Sequence, residues 1–171
     1  MIKQWIHIIL IFCLICFFSF SCEKVEKVSE IPEIKFLNVP IKDTVDELGT
    51  HVRRAKLTFS LQDGDGDIGL HDYDTVAPYN PGSVYYNNLY IDLYTKVNGQ
   101  MTLIPLETPF YYRTVYIEPQ GINKVLKCTI CVDLDIELPV LWDSCEFRFY
   151  MYDRAEHKSN VETSGYRKFA P

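Results

Sequence analysis

Val52-Arg-Arg-Ala-Lys-Leu-Thr-Phe-Ser-Leu61 decides the fold. From Ala55 through Leu57 and Phe59 to Leu61 every second residue is apolar, and those between are polar. Side chains alternate sides along a strand, so this run buries one face and wets the other. A helix would need apolar residues three and four apart, and no stretch of a dozen residues has that stripe. The same period of two returns in Tyr86 to Val97, with Leu89, Ile91 and Leu93 on one face, and in Ile34-Lys-Phe-Leu-Asn-Val39.

Further strands are expected at Met101 to Leu106, Phe110 to Glu118, Lys124 to Ile136, Glu146 to Tyr152 and Asn160 to Phe169. Asn98-Gly99, before the first of these, is the strongest hairpin signal in the chain. Pro and Gly punctuate the boundaries. Seven to eight short antiparallel strands predict an all-β fold, an immunoglobulin-like sandwich spanning residues 34–171.

The N-terminus reads differently. Lys3 is followed by the apolar run Ile6 to Phe18, the layout of an export signal. The run is short of the ~20 apolar residues that a spanning helix needs. It ends in Ser19-Phe-Ser-Cys22, and Glu23-Lys-Val-Glu-Lys27 is abruptly polar. Small Ser21 before a cysteine resembles a bacterial lipobox. That resemblance implies removal of residues 1–21 as a lipoprotein signal peptide, lipidation of Cys22, and residues 22–33 as a tether lifting the domain off the membrane. The expected place is the cell envelope, with the outer membrane favoured.

Without residues 1–21 the chain has 150 residues, enough for one core, and loses only Lys3 among its charges. Sixteen cations then face 23 acids, a formal balance of −7. No charge run is basic, which argues against nucleic acid as a partner. Cys13 and Cys16 leave with the signal, and Cys128, Cys131 and Cys145 remain beside Cys22. Cys128-Thr-Ile-Cys131 has redox or zinc spacing, yet residues three apart on a strand point to opposite faces. Buried thiols, or one bridge through Cys145, are the expectation.

Leu57-Thr-Phe-Ser-Leu-Gln-Asp-Gly-Asp-Gly-Asp-Ile-Gly69 and, much later, Phe149-Tyr-Met-Tyr-Asp-Arg-Ala-Glu-His-Lys-Ser-Asn-Val-Glu-Thr163 carry a resemblance. Together they resemble a family of Bacteroidetes lipoproteins with immunoglobulin-like sandwiches. The likeness implies a fold and a location, and no activity.

Asp63, Asp65 and Asp67 alternate with glycine, and Asp72 and Asp74 follow. Five carboxylates in such a loop repel one another unless a cation neutralises them. Calcium takes about six to eight oxygen ligands, and Asp-Gly alternation lets the backbone curl so that carboxylates converge. The loop is no EF-hand, since Ile68 stands where that loop needs glycine and strands flank it. In an immunoglobulin-like topology the loop and Asp153 emerge at the same end, so Asp153 is expected to complete the site and Arg154 to pair with a spare carboxylate. The plainer reading is a solvated acidic turn. A transition metal would draw in His71 and His157, but oxygen donors dominate.

A second candidate surface lies opposite the core residues of two neighbouring strands: Tyr86, Tyr90, Asp92 and Tyr94 on one, Arg148, Tyr150 and Tyr152 on the other. Exposed aromatics beside polar groups suit glycan or an envelope protein partner. Cross-strand tyrosine pairs that merely stabilise the sheet explain the pattern equally well. No nucleophile elbow, zinc-protease helix or phosphate-binding glycine loop occurs. The expectation is a non-enzymatic, calcium-stabilised binding or assembly module; the alternative is a metal-dependent hydrolase using the Asp63 to Asp74 loop.

Overall fold

The computed structural model describes residues 28–119 and 124–169, so the expected signal peptide and Cys22 lie outside the described residues. Among the described residues there is no helix, and ten strands form two antiparallel sheets. The first sheet holds β1 (Glu33–Asn38), β2 (Ile41–Val45), β3 (His51–Asp63) and β7 (Leu126–Glu137). In it β3 is central: β7 pairs along its whole length on one edge, while β1 and β2 follow each other along the opposite edge.

In the second sheet β4 (Leu89–Val97) lies beside β8 (Ser144–Met151). β5 (Gln100–Leu103) and β6 (Phe110–Tyr112) flank β4, and β9 (Glu162–Thr163) and β10 (Arg167–Lys168) flank β8. The chain changes sheet after β3, β6 and β7, as the expected all-β sandwich requires.

The core is the stripe read from sequence. Ala55, Leu57, Phe59 and Leu61 of β3 meet Leu89, Ile91 and Leu93 of β4 and Phe147, Phe149 and Met151 of β8, all of them buried. Phe59 and Phe149 join the two sheets, with ring centroids 5.1 Å apart. Four phenylalanines and about a dozen aliphatic side chains withdrawn from water supply the main driving force for this closure.

Each run read as a strand contains one, with differences at the ends. β2 is an addition, a short partner of β3. The expected strand at Asn160 to Phe169 is two pieces, because Gly165 takes φ +65° between them. That from Phe110 stops at Tyr112. Its continuation leaves the sheet and binds the acidic loop instead: the amides of Leu70, Tyr116 and Ile117 donate to the carbonyls of Thr114, Leu70 and Ile68. Cys128, Cys131 and Cys145 are free thiols, with Cys128 turned inward, Cys131 exposed, and the buried Cys145 thiol pushed up to about 12 by its burial.

Candidate metal centre

Asp63 ends the inward stripe of β3, two residues beyond Leu61, and it is completely buried. Asp153 stands two residues beyond Met151 of β8, continuing that strand's inward stripe, and is 3% exposed. A carboxylate thus sits at the same end of each sheet's buried row. Asp67 closes the gap: oxygens of Asp63, Asp67 and Asp153 all lie within 4.8 Å of one another. The loop is pinned to both sides by backbone, since the Asp67 amide donates to Asp63 Oδ2 and the Asp67 carbonyl accepts from the Arg154 amide.

Glycine is required in this loop for close approach. Gly66 has φ +68°, and a Cβ there would stand 2.2 Å from the Lys124 carbonyl oxygen; Gly69 has φ +91° and would meet the Val115 carbonyl oxygen at 2.1 Å. At Gly64 a Cβ would strike the Ser29 carbonyl oxygen at 2.5 Å, so the backbone ahead of β1 crosses the loop there.

The donors do not match the acceptors. Oδ1 of Asp63, of Asp65 and of Asp67 are each buried with no hydrogen-bond partner among the described residues. A buried oxygen without a donor costs about 1–3 kcal/mol, more when charged. Burial, followed by the charge of Asp65, pushes the Asp63 carboxyl up to about 7. Burial, Asp153 and Asp65 push Asp67 up to about 6, with the amides of Ala155 and Arg154 drawing it back. Burial also raises Asp153, opposed by the His157 amide and ring. That ring has Nδ1 2.9 Å from Asp153 Oδ2, and the carboxylate raises the imidazole's pKa.

The remaining sequence candidates separate. Asp65 contributes an unmatched oxygen to the same cluster, whereas Asp72 is exposed and apart from it. Asp74 is engaged elsewhere: it accepts from the His71 amide and forms an ion pair with Arg154, which holds its carboxyl below the usual range. Arg154 therefore does pair with a spare carboxylate, and that carboxylate is Asp74. Its guanidinium also lies over the rings of Tyr79 and Tyr116. His71 stacks on Tyr73 and touches Tyr116, beside Asp74, and does not join Asp63, Asp67 and Asp153.

The aromatic surface forms in the expected register, with Tyr90 opposite Tyr150 and Asp92 opposite Arg148. Its rings serve one another: Tyr90 stacks on Tyr150 at 5.3 Å, touches Tyr111, and meets Tyr152 edge-on. Lys158 caps Tyr150 and Arg148 caps Tyr94. Tyr90 is only 9% exposed. Tyr86 precedes β4 and joins Arg113 instead, whose guanidinium reaches its carbonyl. The reason is Asn88, which is buried and bonds Thr114 through both amide atoms, turning the chain before the strand starts.

In comparisons with family models, curated proteins and solved structures, nothing matches this chain. The acidic cluster Asp63, Asp67 and Asp153 has the composition to hold a metal ion. An all-oxygen donor set of this charge suits a hard cation.

Proposed function

We propose that the chain is a lipid-anchored protein of the bacterial cell envelope, and that its sandwich is a non-enzymatic binding or assembly module stiffened by calcium. The observation that carries the cation is Asp63, a wholly buried carboxylate with an oxygen that no described residue satisfies, in a cluster with Asp67 and Asp153. Calcium is favoured over magnesium because a glycine-rich loop gives irregular, adaptable oxygen geometry, and over transition metals because no thiol or free imidazole joins the cluster. A calcium ion there would tie the end of β3 to the end of β8, one from each sheet. It would act as a staple between layers.

Structural rather than catalytic use follows from the surroundings. The carboxylate best placed to act as a spare base, Asp74, is held by Arg154. Anchorage rests on Ser21-Cys22 and the polar run after it, and the envelope partner, glycan or protein, rests on the Tyr94, Arg148 and Tyr150 surface. Titration calorimetry of the purified protein with calcium, magnesium and zinc tests the cation: calcium alone should bind tightly, and absence of heat together with an unchanged melting curve would remove the reading. Radiolabelled palmitate should enter the wild type and not Cys22→Ala.

A further inference from the structure

Edges of β-sheets expose unpaired amides and carbonyls, and folded proteins usually blunt them. Here three of the four edges are blunted or built of short strands, β2 beside β1 having five residues. On β1 the outward amides of Ile34 and Phe36 donate to side chains of Asn160 and Glu162, and the Ile34 carbonyl accepts from Asn160. β9 and β10 have two residues each. β5 and β6 are short, with Pro105 and Pro109 between them. β7 differs. Its twelve residues pair with β3 and with no other described strand.

The row of β7 side chains facing the core is also incompletely covered: Leu126, Cys128, Ile130 and Val132 pack on the core yet stay half-buried, while Leu134 and Ile136 are buried. The opposite row runs Lys127, Thr129, Cys131, Asp133, Asp135, Glu137, basic at one end and acidic at the other. The Lys56 amide donates to Pro40 on the far edge of β3, so even-numbered residues of β3 bond that edge and odd-numbered ones bond β7. Through the register that pairs Leu57 with Val132 and Phe59 with Ile130, the amides of Thr129 and Cys131 therefore point to the open edge.

We propose that β7 is a self-association edge on which a second copy of this chain adds antiparallel, Cys131 opposite Cys131. Two-fold symmetry then sets Lys127 against Asp135 of the other copy, a carboxylate that Arg54 of its own sheet also pairs with, and Cys128, Ile130 and Leu126 against Leu134, Val132 and Ile136. Opposite charges meet on one face and apolar side chains on the other, and the half-buried row becomes covered. A parallel arrangement would place the acidic ends together. A residue pair exchanging both backbone bonds has Cα atoms about 5.5 Å apart, within reach of a disulfide, so Cys131 reports the register.

Sedimentation velocity of the full chain over a range of concentrations, with and without thiol oxidation, tests this. Diamide takes two electrons and two protons into its N=N bond as two Cys131 thiols join. A dimer is expected in which that cross-link forms in wild type and disappears in Cys131→Ser. Thr129→Pro removes an amide that faces outward and leaves the bonds to β3, and Lys127→Asp places like charges opposite each other; both should sediment as monomers and melt like wild type diluted to where it is monomeric, without the concentration dependence of the dimer. A wild type that stays monomeric at every concentration, or a dimer that survives both variants without a Cys131 cross-link, would overturn the proposal.

Discussion

At the position of Asp63 an apolar residue would simply extend the stripe of Ala55, Leu57, Phe59 and Leu61. A carboxylate there is a cost to the bare fold, one that a bound cation would offset. Replacing it with asparagine keeps the shape and removes the charge, so Asp63→Asn in chelator should be more stable than wild type at neutral pH by roughly 1–3 kcal/mol. The same variant should show no calcium-dependent rise in melting temperature by scanning fluorimetry. Asp74→Asn separates the two roles that a list of aspartates confuses. Losing its Arg154 pair should cost roughly 1–3 kcal/mol while the calorimetric calcium stoichiometry stays as in wild type. The aspartates themselves were legible in the sequence as a group. Parity could have picked out two of the three ligand candidates, since counting the period of two onward from Leu61 and Met151 lands on Asp63 and Asp153; Asp67, like Asp72 and Asp74, lies beyond the strand, where no periodicity applies, and only the curl of the loop brings it in.

Among the elements, β1 shows how a side chain replaces a neighbouring strand. Asn160 and Glu162 accept from two outward β1 amides across the gap between the sheets. Asn160→Ala should expose the Ile34 amide and carbonyl together, cost about 1–3 kcal/mol, and speed hydrogen exchange at Ile34 while leaving exchange at Leu57 as it was. Unchanged exchange at Ile34 would mean that the edge is held by packing alone. Strands β3, β4, β7 and β8 were readable because both periodicity and length favoured them. β9 and β10 were read as one strand because alternation through Ser164-Gly165 continues on paper, whereas the positive φ of Gly165 breaks the ladder. Alternation also cannot tell a residue in the sheet from one just before it, which is why Tyr86 was grouped with Tyr90 and Tyr94.

For the whole molecule, the acidic cluster couples sandwich stability to pH, and the cation proposed for it would act in the opposite direction. In the folded protein Asp63 and Asp67 hold protons up to about 7 and about 6, against an ordinary value of 3.8, and Asp153 is shifted the same way. Groups raised on folding contribute stability that is complete below the ordinary value and lost as pH climbs through the folded value. In chelator, the melting temperature of wild type relative to Asp63→Asn should therefore fall between pH 4 and pH 7. A cation competes with those protons, so its affinity should climb over the same interval. At about a hundredfold excess over its dissociation constant it would contribute about 2.7 kcal/mol, a shift of several degrees. Calorimetric scans at acidic and neutral pH, with calcium and with chelator, read both trends at once. If calcium raised the melting temperature equally at both, the ion would be binding outside this cluster, because no site made of these three carboxylates can be indifferent to their protonation.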